Sequence, residues 1–251
     1  MQLTWLGAAG FKIETLAGAV VVINPFLSRP KSATPVLSLQ LASLLPVDEI
    51  LLTESRFVHA MDTPALVKNT GAIAHAPPAV CQHLLKTGVS PNNIEPITPH
   101  KTKTVARLHW QAWSVHALGN NFKLSDSGDN SSLEQLLAAW PASQTISYTL
   151  QTEGLTMMYA GNADWIDPEL NGLQPDIALL PVDPAAIAKT AHLAAKLKPA
   201  VIIPHQWDNY YPPLTRAVNV DELKNALQTE ITLGSIFWPE PGQAFNIAEL
   251  L

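Results

Sequence analysis

Leu51-Leu52-Thr53-Glu54-Ser55-Arg56-Phe57-Val58-His59-Ala60-Met61-Asp62 is the stretch on which the reading of this chain turns. It follows the entry Val47-Asp48-Glu49-Ile50, so it reads as the end of a buried strand running into a loop. Open α/β sheets place their chemistry in such loops, beyond the carboxyl ends of the strands. Glu54 and His59 are residue types that ligate divalent metals. Arg56 is a cation and repels one, and Val58 carries no ligand atom.

Upstream, Leu3–Phe11 and Lys12–Ile23 read as two strands of a hairpin or meander. The run Val20-Val21-Val22-Ile23 has the unbroken β-branched character of a strand buried on both faces. Ser28–Pro46 reads as a loop with a short helical piece. Downstream, Asp62 or Thr63 as N-cap and Pro64 in the first turn predict a helix over Thr63–Lys68. Gly71–His75 predicts a strand and Pro77–Lys86 a helix closed by Gly88; Ile94–Pro99 and Val105–Val115 alternate like strands. Gly119–Ser132 is a polar loop, and a short helix is predicted over Ser132–Trp140. Two strands joined by Glu153-Gly154 form a hairpin. Then come a strand over Asp176–Val182, a helix over Pro184–Leu197, a strand over Pro199–Pro204 and a helix near Asp221–Gln228. Short strands around Ile236–Trp238 and Ala244–Ile247 close the chain.

The chain has 251 residues, 47% of them hydrophobic, enough for a sizeable core. Its net charge is −6 with no basic cluster, which argues against nucleic-acid binding. No apolar run is long enough for a transmembrane helix, and the start lacks the pattern of a secretory signal. The single cysteine, Cys81, excludes an intramolecular disulfide. These features point to the cytoplasm, with Cys81 packed in a core. Charged residues make up 14%, which leaves a self-association surface open; the oligomeric state is not specified.

The segment Trp5-Leu6-Gly7-Ala8-Ala9-Gly10-Phe11, followed by Ile23-Asn24-Pro25-Phe26, and the loop from Thr53 to Asp62 resemble the metallo-β-lactamase fold family. That family carries Trp-Leu-Gly-His-(Ala/Ser)-Gly-Phe, Ile-Asp-Pro-Phe and Thr-His-x-His-x-Asp-His at these places. Pro175–Pro181, His192–Pro199, Pro204-His205-Gln206-Trp207-Asp208-Asn209-Tyr210 and Pro241–Phe245 follow in the family's order. The resemblance covers nearly the whole chain and is nearest to the ascorbate-phosphate-lactonase-like and general metal-dependent hydrolases. It implies an α/β fold, an αββα four-layer sandwich, in one domain over residues 1–251 with similar halves of roughly 1–140 and 141–251.

The resemblance also implies where metal ligands would stand. His59 is retained. Glu54, Arg56 and Val58 replace His, His and Asp, Asn162 replaces the bridging Asp, and Gln206 replaces the last His. The middle ligand falls at Asn120, Asn121 or Phe122, and His116 lies within a strand. Asp164 lies two residues beyond Asn162, out of register to replace it. Arg56 either pairs with Glu54 as a buried substitute for the metal charge or forms a solvated surface pair of small worth. The expectation is a non-catalytic member that binds an anion or sugar-like molecule, or regulates, through Glu54, Arg56, His59, Asn162, Gln206 and Asp208, with no cofactor. The alternative is a hydrolase of lactonase or phosphoesterase type. It would use one zinc or manganese ion on a rebuilt set drawn from Glu54, His59, His205 and Asp208, with Arg56 holding a substrate phosphate or carboxylate. Metal-free acid–base chemistry by Glu54 and His59 is a third course.

Overall fold

The structure, a computed structural model, describes residues 1–117, 134–135, 138, 140, 144–165, 171–184, 186–212 and 214–251. The first sheet runs in the order β15-β1-β2-β3-β4-β5-β6. Its strands are β1 (Gln2–Trp5), β2 (Phe11–Glu14), β3 (Val20–Ile23), β4 (Glu49–Leu51), β5 (Ile73–Ala76), β6 (Ile94–Pro96) and, from the chain's end, β15 (Ala244–Asn246). β1 to β3 pair antiparallel and β3 to β6 parallel. The second sheet runs β11-β8-β9-β10-β12-β13-β14, with β7 on β8. It comprises β7 (Thr102–Val105), β8 (Leu108–Ala117), β9 (Thr145–Thr152), β10 (Leu155–Tyr159), β11 (Ala163–Trp165), β12 (Ile177–Pro181), β13 (Val201–His205) and β14 (Ser235–Ile236). Glu153 and Gly154 both take positive φ, the conformation of a tight two-residue hairpin, and join β9 to β10 as their sequence predicts.

The order of burial along the strands makes the layers. In β3, Val21 and Ile23 enter the core between the sheets with Trp5, Phe11, Trp110, Tyr148 and Tyr159. Val22 between them faces the other way, with Ile50, Leu52 and Ala74. On that outer side lie Leu66 and Val67 of α2 (Thr63–Thr70) and Val80, Cys81 and Leu84 of α3 (Pro78–Lys86). Against the second sheet lie Leu193, Ala194 and Leu197 of α4 (Ile187–Leu197) and Leu223 and Leu227 of α5 (Val220–Glu230). Helices, sheet, sheet, helices is the four-layer arrangement expected from the sequence. Burial pushes the Cys81 thiol up to about 11, and its Sγ donates to the Ala76 carbonyl, so it is a core residue.

Three local expectations need correction. The first 23 residues form three strands, not two, because Gly7–Gly10 and Gly18 turn the chain twice. β7 adds a strand that the polar Lys101–Val105 stretch concealed. Asp62 precedes α2 but makes no capping bond there; its Oδ2 accepts instead from the backbone of Leu27 and Ser28, pinning the segment after β3. The Gly119–Ser132 loop lies outside the described residues, as does most of the helix expected over Ser132–Trp140.

One edge of the sandwich is closed by charge. Buried His75 of β5 meets Glu49 of β4 through Nε2, and its Nδ1 lies 3.3 Å from Glu95 of β6. Lys103, from the second sheet, reaches Glu49 at 2.8 Å, and Lys101 reaches Glu95 at 2.6 Å. Burial works against the Glu49 charge, but His75 and Lys103 outweigh it and hold its carboxyl below the usual range. Lys101 does the same for Glu95. Carboxylates that titrate lower in the fold than in the open chain contribute stability above the ordinary carboxylate range. They lose it as pH falls through their depressed values. Urea midpoints should therefore fall from about pH 6.5 downward, as the unfolded chain protonates His59 and His205 that the fold buries neutral, and show a further acid limb below about pH 4 from Glu49 and Glu95. Glu49→Gln should cost about 3 kcal/mol at pH 7 and blunt that acid limb. An unchanged limb in the variant would remove Glu49 as its source.

Candidate functional site

Five strand exits meet at one end of the sandwich. Asn24 N donates to the Leu51 carbonyl at 3.1 Å, which sets the β3 exit beside the β4 exit. Gln206 N donates to the Ala8 carbonyl at 2.9 Å, and Ile146 N to the Thr53 carbonyl at 2.8 Å. Gly161, after β10, lies against Thr53. The backbone here is unusual. Ala8, Asn24 and Gln206 all have positive φ, at 46°, 45° and 65°, as do Gly7 and Gly161. Non-glycine residues in this region cost about 1 kcal/mol or more each, and such residues gather at functional sites.

A directed chain of hydrogen bonds fills the floor. Arg56 Nη2 lies 3.1 Å from His59 Nε2. A guanidinium carries donors and no acceptor, so Nε2 accepts and His59 is the Nδ1–H tautomer. Nδ1 then donates to Thr53 Oγ1 at 3.0 Å. Asn24 Nδ2 donates to the same Oγ1 at 2.9 Å and to the Tyr159 hydroxyl at 2.8 Å, while its Oδ1 accepts from Thr53 N. Tyr159 donates onward to the Ala9 carbonyl at 2.6 Å. Burial, then the neighbouring Arg56 charge, push His59 well below the ordinary histidine range. It stands neutral at physiological pH.

Glu54 and Arg56 form a buried ion pair. Arg56 Nη2 donates to Glu54 Oε1 at 2.5 Å, and that oxygen lies 3.4 Å from His59 Nε2. Side-chain exposures of 7% and 13% exclude the solvated surface pair. Burial opposes the Arg56 charge, and Glu54 beside it more than restores it. The segment owes this geometry to its turn. Arg56 precedes the single-turn helix α1 (Phe57–Ala60), which returns His59 to face it.

Asp208 is committed elsewhere. Its two carboxylate oxygens accept from Ala8 N at 3.1 and 3.0 Å, and Oδ2 also accepts from Arg29 Nη2 at 2.8 Å. Burial raises the Asp208 carboxyl, and Arg29 offsets part of that. Sequence reasoning missed Arg29, an isolated cation in a Ser-, Pro- and Leu-rich stretch. Asn24 was legible as the residue in place of the Asp of Ile-Asp-Pro-Phe and Tyr159 as a strand-end residue, but not as neighbours in one network. Tyr210, whose phenol burial pushes up to about 12, feels both ion pairs.

His205 ends β13 with its ring in the core, 5.4 Å from and parallel to Tyr159 and edge-on to Phe11. Burial, then His59, push it down to about 3, and neither ring nitrogen has a hydrogen-bond partner of normal geometry among the described residues. Gln206 turns outward, its Nε2 3.5 Å from the Gly161 carbonyl. The rebuilt metal set of Glu54, His59, His205 and Asp208 is therefore not one cluster. Glu54 and His59 meet, Asp208 is held by Arg29, and His205 belongs to the aromatic core. Among the described residues no group of three or more His, Cys, Asp or Glu is placed to hold a metal ion. Asn162 is buried at the β10 exit. Asn120–Phe122 and the side chains of His116 and Asp164 lie outside what is described.

The sequence profile described as "Beta-lactamase superfamily domain" matches residues 2–206. A relative from Polynucleobacter asymbioticus, named a metal-dependent hydrolase, is 25% identical over 228 residues, covering 86% of this chain and 76% of the relative. Among solved structures, a metallo hydrolase from Ignicoccus hospitalis superposes with a TM-score of 0.69 over 98% of both chains at 18% identity. The isothiocyanate hydrolase from Delia radicum gut bacteria gives 0.68 over 98% of this chain and 99% of that one, also at 18%. These last two show the shared fold. In addition, among the described residues no helix is long and apolar enough to cross a membrane.

Gly7 is a tightly packed turn residue at this end. Its φ is +81°, and a Cβ there would sit 2.7 Å from Arg29 Nη1 and 3.2 Å from Asp208 Oδ2. Gly18 has a similar φ but open space around it. Gly7→Ala should cost clearly more than Gly18→Ala, about 2–4 kcal/mol against about 1. Equal losses in chemical denaturation would mean that Arg29 and Asp208 tolerate displacement.

Proposed function

The chain belongs to the beta-lactamase superfamily, and from that premise we propose that this member has given up the family's metal chemistry and serves as a non-catalytic small-molecule-binding or regulatory module. The observation that carries the reading is the Arg56 guanidinium between Glu54 Oε1 and His59 Nε2, at 2.5 and 3.1 Å. A nucleophile made by a metal ion needs that ion's charge beside a bound water. Here a side-chain cation stands at the one retained ligand. A site that held two ions would need the carboxylate that Asn162 lacks, and Gln206 adds an amide in place of an imidazole.

The ligand class follows from charge. Arg56 is matched by Glu54 and Arg29 by Asp208. With both cations already neutralised by buried carboxylates, a neutral, hydroxylated, sugar-like molecule suits this end better than an anion. Gln206 and Tyr211, half-buried at its rim, offer an amide and an aromatic face. A cytoplasmic setting belongs to the same reading. The second reading, a metal-dependent hydrolase with one zinc or manganese ion, is favoured by the names its relatives carry and by the closeness of Glu54 to His59.

Two measurements separate them. Purified protein supplied with zinc or manganese should show no turnover above background on lactone, carboxylic-ester and phosphoester substrates, while a polyol or sugar raises its melting temperature. Turnover that requires the added metal and is abolished by His59→Ala would establish the hydrolase. The combined reversion Glu54→His, Arg56→His, Val58→Asp, Asn162→Asp and Gln206→His should recover metal binding, read by mass spectrometry. A folded reversion variant without metal would sink the assignment of these positions.

A further inference from the structure

We propose that Arg56 is a built-in replacement for the site cation: tethered to the chain, its Nη2 does for Glu54 and His59 what a metal ion would do, and keeps an ion out. The inference rests on the reading that this member has lost its metals, and adds that the fold at this end depends on the substitute.

The two donors are still spaced for a metal. Glu54 Oε1 and His59 Nε2 stand 3.4 Å apart. Tetrahedral zinc with bonds of about 2.0–2.1 Å places an oxygen and a nitrogen ligand about 3.3 Å from each other. Both donors point at the same partner, Arg56 Nη2. An imidazole nitrogen has one lone pair, and that of Nε2 is spent on the guanidinium. The other ring nitrogen is spent on Thr53. His59 therefore cannot ligate a metal until Arg56 leaves.

The substitution is also balanced in charge. Glu54 and Arg56 pair one to one, and His59 Nε2 already accepts from the same guanidinium, so no further cation is called for. An added divalent ion would bring two positive charges into a buried site whose carboxylate is already paired. Without Arg56, Glu54 would be a buried carboxylate facing a lone imidazole, with a space the size of a cation between them. Arg56 lies two residues after Glu54 and three before His59, so its supply depends on no metal pool. It orients the His59 ring, and through Thr53 and Asn24 it reaches Tyr159.

Thermal unfolding of the full chain tests this. The wild-type melting temperature should not move with EDTA or with zinc. Arg56→Ala should melt about 5–15 °C lower, as expected when one partner of a buried pair is removed. Zinc, or free guanidinium, should restore part of the loss. Arg56→Ala combined with His59→Ala should no longer respond to zinc. Arg56→Gln, which removes the charge but keeps bulk, is the second variant if Arg56→Ala fails to fold, with the same direction expected. A wild-type protein destabilised by EDTA overturns the proposal. So does a folded Arg56→Ala that melts with the wild type or ignores zinc and guanidinium alike. Metal-independent turnover would contradict the non-catalytic reading while leaving these melting results to stand.

Discussion

A single nitrogen, Nη2 of Arg56, settles the state of everything around it. By donating to Glu54 and to His59 Nε2 it gives a buried carboxylate its ion-pair partner and fixes the histidine tautomer. The tautomer then fixes the direction of the bonds through Thr53, and Asn24 links the same oxygen to Tyr159. A buried carboxylate without a partner is costly. The loop Thr53–His59 is thus held by electrostatics that its own sequence supplies.

What surrounds that loop is a frame kept under strain. Ala8, Asn24 and Gln206 hold positive φ at three different strand exits, where glycine would adopt the same conformation without penalty. The layered core behind them, with Trp5, Phe11, Tyr159 and His205 packed between the sheets, over-determines the backbone and makes the strain bearable. Strained positions that persist in a well-packed fold are a mark of function. The Arg29–Asp208 pair and the bonds to Ala8 tie the first strand exit to the last.

Much of this was legible in the chain. Two-faced burial of Val20–Ile23 and the Glu153-Gly154 hairpin are local signals, and the structure carries both. The Glu54–Arg56 contact was legible as a pair two residues apart, with its burial left open between two readings because it depends on how the chain turns through α1. Arg29 was invisible for a related reason. Its partner Asp208 is distant in sequence, and nothing in the residues around Arg29 marks it as buried. The same blindness grouped His205 and Asp208 with His59 by ligand type. Strand alternation sends His205 into the core, and the turn after it gives Asp208 to Ala8 and Arg29. β7 escaped because an exposed edge strand need not alternate in hydrophobicity, and its Lys103 is committed to the ion cluster with Glu49 and Glu95.

The most direct test of the central claim is the metal content of the purified protein, measured by mass spectrometry after growth with added zinc, manganese and iron. The account predicts near-zero metal per chain, because the histidine lone pair and the carboxylate are already taken by Arg56. About one zinc, manganese or iron per chain, held through His59, would contradict it and restore the hydrolase as the first reading.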